Sequence, residues 1–196
     1  MRLTSLITLV FCASVAFAQA DLWSRVSTQR DIHRIQPATL STGQLESFAR
    51  LLRKQKPDDL CDCESSQMDE LIKGLIFETV PISENRQMLL VQAGRGCARG
   101  GQGANGAMWL IRFTGPDGTT PTILATPEEF SGWLFSVQPT MSHGYPDLVL
   151  GWHTGGPVEA SLSYFRCDGK SYHRIGTASL LSDDDNQTAK IVPAKR

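Results

Sequence analysis

Between residues 41 and 57 the apolar positions follow a helical period: in STGQLESFARLLRKQKP, Leu45, Phe48, Ala49 and Leu52 share one stripe. Ser41 with Gln44 three residues later is a capping-box signature. Arg50, Arg53, Lys54 and Lys56 favour the carboxyl end of the helix dipole, and Pro57 stops the helix. A second short helix is predicted through SSQMDELIKG, capped by Ser66 and Asp69 and ended by Gly74.

From Leu75 the pattern changes to short β-rich runs: LIFETVPIS, QMLLVQAG, AMWLIRFTG, TPTILAT, GWLFSVQPT, DLVLGWHTG, ASLSYFRCDG and SYHRIGTA. Gly, Pro, Asn and Asp punctuate them. This pattern predicts an α+β fold, a mostly antiparallel β-sheet or sandwich with one or two N-terminal helices packed on one face or end. Residues 21–180 read as a single domain and 181–196 as a polar tail, partly disordered by composition. In that tail Asp183 to Asp185 reads as a solvated acidic run, and Asn186-Gln187-Thr188 is a glycosylation sequon only in a host that uses that pathway.

The strands carry an internal echo. LLVQAG, a Gly-rich loop, MWLIRF, PDG and TTPTIL are answered by LVLGWH, a Gly-containing loop, LSYFRC, DG and KSYHRI. Asp117-Gly118 and Asp168-Gly169 are both hairpin signals, since glycine accepts the positive φ of a tight turn. GYPDLVLGWHTGG followed by LSYFRCDGKSYHRI resembles the hairpin of FG-GAP or VCBS-type β repeats in secreted bacterial proteins, over roughly the C-terminal half. The resemblance implies a fold element. The family's calcium loop places alternating aspartates before the DLV strand. Here SHGYP stands there, so metal binding does not carry over to Ser142, His143 or Tyr145.

The stretch GQGANG, Gly101 to Gly106, fits the dinucleotide spacing G-x-G-x-x-G. That chemistry needs a helix N-terminus against the pyrophosphate, whereas AMWLIRFTG, an aromatic and β-branched run, follows Gly106. A P-loop needs Gly-Lys-Ser/Thr, and Ala107 and Met108 follow instead. The wider loop GRGCARGGQGANG is predicted as a long hairpin connection, with Arg95, Arg99 and Asn105 as a candidate binding loop for an anionic or carbohydrate partner.

The first 20 residues change the compartment. Arg2, an apolar run from about Leu6 to Phe17 and the small residues Ala16, Ala18 and Ala20 form a signal-peptide pattern. The run is too short to span a bilayer, and Cys12 follows Phe11 where lipidation wants a small residue. The expected product is periplasmic or secreted. The formal net charge of -1 falls to -2 once Arg2 is removed, which gives no electrostatic case for nucleic acid or an anionic membrane as partner.

In an exported chain the four remaining cysteines, Cys61, Cys63, Cys97 and Cys167, read as two disulfides. A Cys61 to Cys63 ring would be strained, so both are expected to cross-link to Cys97 and Cys167. The sharper alternative is thiol redox or soft-metal handling through Cys61-Asp62-Cys63. Ser142, His143 and Asp147 would compose a hydrolytic triad on paper, but no G-x-S-x-G elbow exists. His143 reads as a loop residue, and His153 and His173 as strand-end or surface residues. Trp109, Trp133, Trp152, Phe135, Tyr164 and Phe165 lie in strands and are expected mostly in the core.

The resulting expectation is an exported, non-catalytic binding domain without a cofactor. Its partner is another envelope or extracellular protein, and inhibition of a secreted hydrolase is one form of that role.

Overall fold

The computed structural model describes residues 21–55, 63–82, 87–99, 105–154, 159–183 and 188–194. After a helical turn at 21–24 come β1 (Gln36–Pro37), α1 (Thr42–Leu52), α2 (Met68–Lys73), β2 (Leu75–Pro81), β3 (Gln87–Ala93) and β4 (Gly106–Thr114). Then follow β5 (Thr120–Ala125), β6 (Ser131–Ser142), β7 (Tyr145–His153), β8 (Glu159–Cys167), β9 (Tyr172–Asp183) and β10 (Thr188–Pro193). The strands form one antiparallel network in the order β1-β2-β3-β4-β6-β7-β8-β9-β10. Among the described residues strand β5 pairs with β4 alone. Along one edge of β4, β5 takes Leu110 to Thr114 and β6 takes Gly106 and Ala107, so the network divides there into two halves.

Three cores hold these layers. In the first, Met88, Leu90, Met108, Leu110 and Leu124 of the first half meet Leu134, Leu148, Leu150 and Phe165 of the second. In the next, Phe48, Leu52 and Leu71 of the two helices cover Leu89, Val91, Trp109 and Ile111. Trp23 and Val26 of the N-terminal segment then cover Phe135, Val149, Leu162, Tyr164 and Ala178. Alternate residues of β3 and β4 thus enter different cores, and for that reason both strands read as continuous apolar runs.

The Ser41 and Gln44 capping box forms as the sequence predicts, with Gln44 N donating to Ser41 Oγ at 3.3 Å and Ser41 N to Gln44 Oε1 at 3.1 Å. Helix α1 ends at Leu52, and the expected stop at Lys56 and Pro57 lies outside the described residues. Leu45 remains 37% exposed, so the buried stripe is Phe48, Ala49 and Leu52. At α2 the predicted cap is corrected: Ser66 Oγ donates to Glu64 Oε2, and Gln67 stands at the cap position with its Oε1 accepting Glu64 N at 3.0 Å rather than an N–H of the helix.

Residues 87–125 and 145–183 each form a strand-strand-strand meander, β3-β4-β5 and β7-β8-β9. The β6-β7 hairpin closes on His143 and Gly144, both with positive φ (54° and 83°), the signature of a two-residue turn whose twist matches its strands. The polar tail is also corrected. Residues 188–193 form β10, whose Ile191 packs against the third core, and the pairing with β9 runs from Thr188 and Asp183 to Pro193 and Ala178. Asp184, Asp185, Asn186 and Gln187 lie outside the described residues.

Candidate functional site

Cys63 is bonded to Cys97, with Cα atoms 5.4 Å apart, and its side chain is 1% exposed. The bridge ties the start of α2 to the β3-β4 connection. Cys61 lies outside the described residues. The expected staple at Cys167 is corrected: its thiol is free and buried in the first core, and its Sγ accepts Gly169 N at 3.3 Å. Burial pushes that thiol upward in pKa, so the protonated, unreactive form is favoured.

In the candidate binding loop, Arg95 and Asn105 both make structural bonds. The Arg95 guanidinium donates to Lys73 O at 3.1 Å and caps the end of α2. Asn105 Nδ2 donates to His153 O (3.1 Å) while Asn105 Oδ1 accepts His153 N (2.9 Å), which pins the β3-β4 connection to the end of β7. Both side chains bond backbone groups of neighbouring elements. Residues 100–104 and the Arg99 side chain lie outside the described residues.

Ser142, His143 and Asp147 do not assemble into a triad. Ser142 Oγ donates directly to Asp147 Oδ1 at 2.9 Å, and the exposed His143 places Nδ1 3.1 Å from Cys167 O. Asp147 is 0% exposed and also accepts Tyr164 OH (3.2 Å) and the Arg166 guanidinium (Nη2 at 2.8 Å). The carboxylate, carried on β7, is thereby satisfied from β6 and β8, an arrangement that orders strands. Burial first, then Asp147, pushes Tyr164 up to about 12, so its hydroxyl stays a donor. The acid's role was hidden in the sequence because its donors come from positions 142, 164 and 166.

A second Ser/His/Asp group sits at the β8-β9 turn. Ser171 Oγ (3.0 Å) and Asp168 Oδ2 (3.1 Å) both contact the same nitrogen, His173 Nε2. Hydrolytic relay needs the serine and the acid on opposite imidazole nitrogens, so this group clamps the turn instead. Backbone N–H groups of Ser171 and Lys170, then His173, hold Asp168 well below the usual carboxylate range.

Beside that clamp lies a cleft of about 320 Å³. Its floor is aromatic: Phe130 and Phe165 meet edge to face at 5.1 Å, and Phe130 lies 6.4 Å from Tyr172. One wall is Ile123 to Thr126 at the end of β5, and the rim carries Glu128, Glu129, Ser171 and His173. The sequence reading missed this site. Its signal was ATPEEFSG, a loop in which two acids precede an aromatic residue that the structure buries.

Two other surfaces compare poorly. A larger hollow of about 630 Å³ between β1, β2 and the start of α1 is lined by neutral groups. Gln44 there bonds Ser41 and Gly118, and Thr79 bonds Gln36 O. On the second half of the network, paired positions place Trp152, Ser161, Ser179 and Val192 in one row, with Trp152 43% exposed. Trp109, Phe135, Tyr164 and Phe165 are buried and Trp133 is half-buried, so Trp152 is the strand aromatic that departs from the core expectation. No family model, curated protein or solved structure matches this chain, and the functional reading rests on the geometry itself.

Proposed function

We propose that the chain is an exported, non-catalytic interaction domain of the periplasm or extracellular space, binding another envelope or extracellular protein. Inhibition of a secreted hydrolase is one form of this role. The observation that carries the reading is the cleft: an apolar floor, a charged rim and a strand edge meet at one place on a rigid scaffold. The two Ser/His/Asp groups, at the β6-β7 hairpin and at the β8-β9 turn, are engaged in structural bonds, and the Cys63–Cys97 bridge is compatible with an oxidising compartment. Among the described residues no helix is long and apolar enough to cross a membrane.

The alternative, thiol redox or metal handling through Cys61-Asp62-Cys63, is less well supported because Cys63 is buried and joined to Cys97. A photo-crosslinking amino acid placed at Glu129 in the exporting cells tests the reading. A discrete protein adduct is expected there and none when the same group replaces the exposed Ile76 of β2. Absence of an adduct at Glu129, or equal adducts at both positions, would remove it.

A further inference from the structure

We propose that the occupant of the cleft is an extended segment of a partner protein that adds as a strand to the outer edge of β5, with an apolar side chain in the aromatic cleft and a Lys or Arg beside Glu128 and Glu129. The inference rests on the binding reading above and adds its mode and partner chemistry.

Three observations converge. Strand β5 has one hydrogen-bonded neighbour, β4, so its outer backbone groups have no ladder partner among the described residues. Its counterpart in the second meander, β9, is edged by β10 from Ala178 to Asp183. An open edge of this kind is a template for another chain. Helix α1 packs against the start of β5, where Ser47 Oγ donates to Thr119 O, and Pro121 offers no N–H, so pairing is confined to the stretch after Pro121, where the cleft lies along Ile123 to Thr126.

The side chains then select the guest. Successive residues of a bound strand point to opposite faces, so a residue turned into Phe130, Phe165 and Tyr172 is apolar while its neighbours stay at the rim. Glu128 and Glu129 are exposed, and among the described residues neither carboxylate has an ion-pair partner, so a cationic neighbour is the complement. A cleft of about 320 Å³ stands at the small end of ligand pockets, which suits one or two side chains better than a folded surface.

The test uses the full exported chain and a capped, fluorescein-labelled heptapeptide of alternating valine and lysine, read by fluorescence anisotropy. Two further peptides carry N-methyl groups on alternate amides in the two possible registers, which deletes donors without changing side chains. Saturable binding is expected. It should weaken roughly tenfold in one N-methyl register and less than about twofold in the other. The variant Glu128→Lys/Glu129→Lys should lose the peptide by a similar factor at low salt and gain the glutamate-containing analogue. Equal binding of both N-methyl peptides would overturn strand addition and leave the binding reading intact. A partner cross-linked at Glu129 with no peptide binding would do the same, as would a β5-to-β5 dimer in sedimentation. No peptide binding and no adduct at Glu129 would overturn both.

Discussion

Removing Arg166 should destabilise the protein more than removing Asp147, because the two ends of that ion pair differ in their access to water. Asp147 is 0% exposed, whereas the Arg166 side chain is 43% exposed. Arg166→Met therefore strands a carboxylate that cannot reach solvent, which costs about 3–5 kcal/mol. Asp147→Leu frees a guanidinium able to turn outward and leaves the Tyr164 and Ser142 hydroxyls without their acceptor, a loss of about 1–3 kcal/mol. The double variant should cost less than Arg166→Met alone, since no buried charge survives it. At roughly 2–4 °C per kcal/mol for a domain of this size, Arg166→Met should melt about 6–20 °C early. Urea denaturation followed by tryptophan fluorescence measures all three. A value for Arg166→Met within about 0.5 kcal/mol of the parent, or strict additivity in the double variant, would refute the role given to this cluster.

Further consequences can be checked on the same material. The Cys63–Cys97 bridge spans 34 positions, so the chain-entropy relation gives about 3.8 kcal/mol, and Cys63→Ala/Cys97→Ala should lose about 2–4 kcal/mol in urea. The buried Cys167 thiol should resist iodoacetamide in the native protein and react fully in denaturant, as read by peptide mass. The carboxyl of Asp168 is held low in the folded state, so its stabilisation is present above the ordinary carboxylate range. It is lost as pH falls towards the folded value, because the unfolded chain takes up the proton first. The urea midpoints of the parent and Asp168→Ala should accordingly differ at neutral pH and converge below about pH 4.

Much of the fold was legible because local signals and tertiary demand agree. The eight β runs from Leu75 to Ala178 mark strands, and Ser41 with Gln44 marks the start of α1. Strand β10 escaped notice because SDDDNQTAKIVP is polar in composition, and only the docking of Ile191 and the ladder to β9 make it a strand. The even cysteine count suggested two bridges, yet Cys167 sits among Phe130, Phe165 and Tyr172 as a small apolar side chain. Asn105 and Arg95 looked like free loop groups, and their partners, His153 and Lys73, are distant in sequence or belong to another element. The cleft itself depends on where β5 stops pairing, which no local pattern encodes.

The most direct measurement is a chemical-shift map on isotope-labelled protein titrated with the partner recovered by the Glu129 cross-link. Perturbed amides should concentrate in Ile123 to Phe130 and Ser171 to His173, with the β3-β4 connection and the Trp152 row unchanged. Shifts centred on residues 94–99 and 105, or on Trp152, Ser161 and Ser179, would contradict it and place the binding surface elsewhere on the sheet.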